Sequence, residues 1–290
     1  MELLRPSSAE EASAALVDGA AALAGGTELV PLMHDGIVTP SALVWLDRAV
    51  PRGVMARDTS LAGQAMEVDT AITIGANTTL AELEVDPAIP ASLREACAQA
   101  ASPQLRSMST VGGNLLQATR CWYWRLRYPC RLHGGDRCHA REGVHREHAI
   151  FGNDFCASAH PSDVAAALLA LAATVRTNRR ELSVADLYRL PTEDDRRTTT
   201  LAPGELILEL EVPLPDASTY LKAMDRKKWS FPIVGVAAAR TGGETRIALA
   251  GVAPIPWAGD ALEDATPLEG TAYKVEIAKA LVERARAAVA

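Results

Sequence analysis

The sequence predicts an α+β protein in two units, and three observations carry that prediction. Through the first half, short apolar strands run into turns marked by glycine or threonine and then into helices, as in AALAGGTELVPL and AITIGANTTLAEL. From Glu205 the pattern changes to alternating strands, LILELEVPLP and then IVGVAAARTGGETRIALAGVAPIPW, with a hairpin turn expected at Gly242-Gly243. At 290 residues the chain is long enough for a large core and long for one compact unit. The expected units are residues 1–175 and 176–290, the second smaller and built on an antiparallel sheet with helices.

Taken in order, residues 8–17 read as a short amphipathic helix. Ser7 or Ser8 accepts its first free N–H groups, and Glu10 and Glu11 suit the positive end of its dipole. A strand over residues 21–24 enters Gly25-Gly26-Thr27-Glu28 ahead of a helical run from Leu29. Paired glycines there permit positive φ and expose N–H groups that can face an anion, although such a pair is also an ordinary tight turn. SALVWLD reads as a strand, and turns with short strands follow to about Ala71. AITIG is a strand, and the helix after it is capped by Thr78 or Thr79. Residues 91–102 form a helix on which Cys97 faces the core, and Ser102-Pro103 ends it. QLRSMSTVGGNLLQ then repeats the earlier design: a polar turn around Gly112-Gly113, with Thr110 and Asn114 beside it. Two such turns can cradle the two phosphates of a dinucleotide. The single G-x-G-x-x-G fingerprint of a Rossmann unit is not found. Pro161-Ser162-Asp163 starts a long apolar helix, where Asp163 reads as a cap. TVRTNRRELSVADLY is a strand pair and a helix start, RLPTEDDRRTTTLAPGE a loop, and residues 272–290 an amphipathic helix.

Composition narrows the classes. Apolar content of 48% and a mean hydropathy of +0.03 are those of a globular protein. No apolar run reaches the roughly 18 residues of a membrane span. The N-terminus has acidic residues where an export signal is apolar, so a cytoplasmic location is expected. A net charge of −7 argues against a nucleic-acid partner.

Residues 110–163 differ from the rest. Four of the five cysteines, Cys121, Cys130, Cys138 and Cys156, fall there, and five of the six histidines and six of the thirteen aromatics lie between Cys121 and His160. In a chain without an export signal, clustered cysteines point to metal binding or redox chemistry before structural disulfides. Four thiolates are the ligand set of a cubane iron–sulfur cluster. They equally satisfy a structural zinc ion, as do three with His133, His139 or His148. The intervals of eight, seven and seventeen residues leave both readings open. Trp122, Tyr123, Trp124 and Tyr128 suit a shield against water, and also an electron path or a docking surface for a partner. Arg120, Arg125, Arg127, Arg131 and Arg137 suit either a counter-charge or a solvated basic face.

The succession AGGTEL, TVGGNL, a Ser-Asp-x-Ala helix start and a strand-rich C-terminal unit resembles, over nearly the whole chain, the FAD-binding (medium) subunit of the molybdenum hydroxylases, the xanthine dehydrogenase and carbon monoxide dehydrogenase group. The resemblance implies a two-part FAD-binding domain of the PCMH flavoprotein type followed by a smaller domain. It implies FAD contacts at Ala24, Gly25, Gly26, Thr27 and Glu28, at Thr110, Gly112, Gly113 and Asn114, and at Asp163. Leu206, Ile207 and Lys222 match positions near the isoalloxazine ring more loosely. Glu28 stands where the family often has aspartate, and covalent flavin attachment is not implied. The cysteine-rich insert, about residues 119–158, is similar to that of the flavin subunit of 4-hydroxybenzoyl-CoA reductase. That similarity implies a [4Fe–4S] cluster on Cys121, Cys130, Cys138 and Cys156.

The leading expectation is a redox flavoprotein passing electrons between FAD and a [4Fe–4S] cluster. By resemblance it works with a molybdenum-cofactor subunit and a [2Fe–2S] subunit. A second reading is a self-contained FAD-dependent dehydrogenase or oxidase of a small molecule, for which Tyr220, Lys222, Lys228 and Trp229 are the only catalytic candidates. A third is a zinc-stabilised, non-enzymatic binding module, against which both intact glycine turns count.

Overall fold

The computed structural model describes residues 1–17, 19–56 and 71–290. A small parallel sheet comes first. Its strands β1 (Glu2–Leu4), β2 (Ala21–Leu23) and β3 (Ala42–Trp45) lie in the order β1-β3-β2. The helices α1 (Ala9–Ala15) and α2 (Leu29–His34) make the crossovers that parallel pairing requires. Ser8 caps α1 by accepting from the Glu11 N–H at 3.2 Å.

A five-stranded antiparallel sheet follows, with β4 (Val54–Ala56), β5 (Ala71–Gly75), β6 (Thr174–Thr177), β7 (Glu181–Ser183) and β8 (Ile207–Pro213) in the order β4-β5-β8-β6-β7. The alternating strand expected from Glu205 is therefore β8, and it pairs with β5 of the first half rather than with the later hairpin. A cut between residues 175 and 176 passes through β6. Residues 57–70, most of the stretch expected as turns and short strands, lie outside the described residues.

Between β5 and β6 the chain forms seven helices that bring the site together: α3 (Leu80–Val85), α4 (Ala91–Gln99), α5 (Pro103–Arg106), α6 (Val111–Leu115), α7 (Trp122–Arg125), α8 (His139–Glu142) and α9 (Asp163–Ala170). Thr79 and Glu82 cap α3 reciprocally. Two expectations change here. Ser102-Pro103 does not end α4, which stops at Gln99, but opens α5: Ser102 accepts from the Leu105 N–H, and Pro103 has no N–H to lose at the first helical position. Gly112 and Gly113 sit not in an open turn but in the first turn of α6, capped by Thr110. Another short helix, α10 (Val184–Leu187), follows β7.

The last sheet runs β12-β11-β10-β9, from β9 (Ala217–Ala223), β10 (Val234–Thr241), β11 (Glu244–Ala250) and β12 (Trp257–Ala258). Its hairpin turns at Gly242 and Gly243, both at positive φ, 57° and 86°. β10 is buried on both faces. Val234, Val236 and Ala238 pack toward α11 (Tyr273–Val289), and Ala237 and Ala239 join the larger core with α4 and α9. Among the described residues no helix is long and apolar enough to cross a membrane.

Lys274, wholly buried on α11, anchors the cysteine-rich segment to this sheet. Its Nζ donates to the carbonyls of Glu147 (3.1 Å), His148 (2.8 Å) and Gly251 (2.7 Å). Burial pulls its pKa down from 10.5 to about 7. Between those values the unfolded chain binds the proton more tightly, so this group's contribution to stability rises with pH. Lys274→Met is expected to cost about 2 kcal/mol through the lost hydrogen bonds. Denaturant titration should show the wild type gaining on the variant as pH rises from about 7 to 10; a constant gap would contradict the assignment.

Candidate functional site

The two glycine segments meet. An added Cβ on Gly25 would lie 1.7 Å from the Met108 carbonyl oxygen, so glycine is what lets the first turn rest on the chain entering the second. Thr27 Oγ1 and Ser109 Oγ hydrogen-bond across the contact at 2.8 Å. Gly112 is also closely packed, though less so, since a Cβ would meet that of Ala76 at 2.9 Å. The N–H groups differ between the segments. Those of Gly112 and Gly113 are used internally, by Ala76 O and Thr110 Oγ1. Those of Gly25, Gly26, Thr27 and Glu28 donate to no acceptor among the described residues. The first turn is thus the one that presents donors to an anion, and the second contributes closeness and a cap.

Between the segments opens a cleft of about 540 Å³, lined by Ala24, Gly25, Gly26, Thr27, Glu28, Thr110, Gly112, Gly113, Asn114, Asp163, Leu206 and Ile207. The structure gathers these sequence-predicted residues on one surface. It adds Asn77, Ser109 and Phe231, which the sequence reading does not single out, and Arg120, which that reading places beside the thiols as a counter-charge or part of a basic face. Asn77 stands at a third strand-to-helix turn, in AITIGANTTL, and its Nδ2 donates to Leu46 O at 2.9 Å. That repeated turn was its available signal.

Asp163 is not a cap; Ser162 is, accepting from the Ala165 N–H at 2.9 Å and donating to Asn114 Oδ1 at 2.6 Å. The buried Asp163 carboxylate instead accepts from the Tyr220 hydroxyl and from Lys222 Nζ at 2.8 Å. Burial raises the Asp163 pKa, and Lys222 opposes the rise. Lys222 and Tyr220 therefore lie behind the cleft wall, holding Asp163, and do not line the cleft itself. Gly235 leaves room for the Tyr220 phenol, whose oxygen would be 2.0 Å from a Cβ there. Trp229 lies at the cleft edge, 57% exposed and at φ +59°, and Lys228 is exposed outside it.

The four cysteines Cys121, Cys130, Cys138 and Cys156, all free thiols, line one small cavity with Tyr123, Trp124, Arg131, Leu132, His139 and Ser158. Among the described residues no three His, Cys, Asp or Glu side chains close on a single-ion position. Burial pushes Cys121 up to about 11 and Cys156 up to about 12, so both stay protonated unless a cation takes the proton's place. His148 Nε2 lies 3.2 Å from Cys121 Sγ, and burial lowers this histidine to about 4, which keeps it neutral. Aromatic contacts close the surroundings: Trp124 stacks on His133 at 5.1 Å, and Tyr128 meets Tyr123 edge-on at 5.3 Å. Several arginines latch the segment instead of forming a solvated face. Arg131 donates to the carbonyls of Asp154 and Phe155, while Arg120 and Arg125 pair with Glu28.

Comparison with known proteins gives a consistent picture. Residues 1–215 match the family described as the FAD binding domain in molybdopterin dehydrogenase. The aldehyde oxidoreductase FAD-binding subunit PaoB of Escherichia coli (strain K12) is 38% identical over 261 residues, covering 84% of this chain and 78% of that protein. A structure of carbon monoxide dehydrogenase from Hydrogenophaga pseudoflava that lacks the Mo-pyranopterin moiety of its cofactor superposes with a TM-score of 0.67 at 25% identity, covering 100% of this chain and 96% of that one. Reconstituted CO dehydrogenase from Oligotropha carboxidovorans gives 0.68 at 23% identity over 100% and 97%, a likeness of fold.

Proposed function

Because the chain belongs to the family of FAD binding domains in molybdopterin dehydrogenases, and so is a subunit of an FAD-dependent oxidoreductase, we propose that it passes electrons between FAD in the cleft and a [4Fe–4S] cluster on Cys121, Cys130, Cys138 and Cys156. We further propose that it does so within a complex that includes a molybdenum-cofactor subunit and a [2Fe–2S] subunit, with an aldehyde oxidoreductase of the PaoB type as a chemical precedent. The observation that carries the reading is the convergence of all four thiols of the insert on one cavity beside the cleft. When bound, FAD handles two electrons and an iron–sulfur cluster one, so the pair converts two-electron chemistry into single steps.

The residues supply the rest. The free N–H groups of Gly25 to Glu28 receive the diphosphate. Thr110, Gly112, Gly113 and Asn114 shape the opposite wall. Asp163, oriented by Tyr220 and Lys222, offers a carboxylate oxygen to hydroxyl groups of the cofactor. Leu206, Ile207 and Phe231 give the cleft its apolar surface. The four thiols line one small cavity, and four thiolates are the ligand set of a cubane cluster. The surrounding tryptophans and tyrosines keep water from it.

The test is metal, acid-labile sulfide and flavin content of anaerobically purified protein, with its visible spectrum. About four iron and four sulfide per FAD are expected, as a four-thiolate cubane requires. Stoichiometric zinc with FAD would overturn the cluster and make the insert structural. Turnover of a small molecule by this chain alone would instead support a self-contained dehydrogenase.

A further inference from the structure

Arg120 and Arg125 bracket Cys121, the first thiol of the insert, and both close on one carboxylate. Arg120 Nη2 donates to Glu28 Oε2 and Arg125 Nη2 to Glu28 Oε1, each at 2.5 Å. Glu28 belongs to the first glycine turn, which lines the cleft and whose N–H groups donate to no acceptor among the described residues. Its side chain is 18% exposed and that of Arg125 17%, enough desolvation for charge-assisted pairs to be strong. The arginines are themselves fixed. Arg125 Nε donates to Thr119 O at 2.9 Å, and Arg120 lies over the Phe231 ring at 4.7 Å. Arg120 lines both the cleft and a second cavity of about 90 Å³, into which Cys121 and His148 also face.

Residues 119–125 therefore touch both sites, and their arrangement decides whether Glu28 is held. A centre bonded to Cys121 restrains that arrangement, and a dinucleotide bonded to the first turn restrains Glu28. Resting on the reading of the two cofactors given above, we infer that Glu28, Arg120 and Arg125 form a positioning clamp that couples occupancy of the four-thiol site to FAD affinity. The coupling is reciprocal by thermodynamic linkage: FAD in the cleft must favour retention of the centre by the same factor.

The test uses Arg125, which lines neither the cleft nor the thiol cavity. FAD dissociation constants would be measured anaerobically by flavin fluorescence for the wild type, Arg125→Gln, Arg125→Lys, Cys138→Ser and the Arg125→Gln/Cys138→Ser pair. Cys138→Ser, lacking the intact centre, should bind FAD about 10-fold more weakly, within the usual range of site coupling. Arg125→Gln should lose a similar factor, the double variant little more than either, and Arg125→Lys should recover much of it. Reciprocally, removing FAD should speed iron loss to a chelator in the wild type and not in Arg125→Gln. Losses that multiply in the double variant, or wild-type FAD affinity in Arg125→Gln, would overturn the clamp. Should the wild type carry no metal, the cluster reading fails separately. A 10-fold FAD loss in Arg125→Gln then still supports the link between loop and turn, and unchanged affinity removes it.

Discussion

Gly25→Ala is expected to weaken FAD binding by at least about 100-fold, a loss of about 2.7 kcal/mol. The added methyl would sit 1.7 Å from the Met108 carbonyl oxygen and 2.6 Å from its carbon. Both atoms are backbone, so no rotamer relieves the overlap, and the first turn must move away from the segment leading into α6. That movement breaks the Thr27–Ser109 bond and misaligns the N–H groups from Gly25 to Glu28 with the opposite wall. The neighbouring Gly26→Ala provides the control. Gly26 has φ +71°, but an added Cβ meets only the side-chain ends of Val30 at 3.2 Å and Leu23 at 3.4 Å. Its cost is the left-handed backbone, roughly 1–2 kcal/mol. Fluorescence titration with FAD and the flavin ratio as purified should rank Gly25→Ala well below Gly26→Ala. A Gly25→Ala protein that retains full flavin at wild-type affinity would show that close approach of the two segments is not what builds the cleft.

That pair of glycines also shows how far the sequence could be read. Each GG segment alone reads equally as an ordinary tight turn, and it is the presence of two on one chain that makes them candidates for a dinucleotide cradle. The structure gathers both on one cleft. What the motif did not reveal is that the two segments work differently. Which N–H groups are free depends on Thr78, Ala76 and Thr110, whose carbonyls and hydroxyl take up those of the second segment. Local patterns likewise gave the hairpin at Gly242-Gly243, the Cys97-bearing core helix and the C-terminal helix. They did not give the partner of β8, since alternation specifies a strand and not its neighbour. From the sequence Arg120 and Arg125 read either as counter-charges for the thiol site or as a solvated basic face, because charge in sequence carries no direction. Only the fold brings Glu28, more than ninety residues earlier, to meet them. The sequence marks Asp163 as a helix cap and, through the family resemblance, as a cofactor contact, while its hydrogen-bond partners, Tyr220 and Lys222, come from a strand in the last sheet.

Lys222→Met is expected to cost about 3–5 kcal/mol of stability at neutral pH, the usual result of leaving one member of a buried ion pair without its partner. The Lys222 side chain is wholly buried and that of Asp163 is 4% exposed, so water cannot replace the ammonium. The pH dependence tests the charge directly. Burial already raises the folded-state pKa of Asp163 above its ordinary value, and Lys222 is the main opposing influence. Without Lys222 the folded pKa rises further. A carboxyl whose folded pKa exceeds its unfolded one gives its full stabilisation below the unfolded pKa and loses it as pH rises through the folded pKa. The gap between wild type and variant should therefore be smallest in acid and widen toward neutrality. Adding Asp163→Asn to Lys222→Met should recover most of the stability, because no buried charge remains. It should not recover FAD affinity if, as proposed, the Asp163 carboxylate is what binds hydroxyl groups of the cofactor. Guanidinium titrations at a series of pH values, paired with FAD binding, separate the two effects. A stability gap that stays flat across pH would mean that Lys222 serves only as packing behind the cleft wall and that Asp163 is held in place by Tyr220 alone.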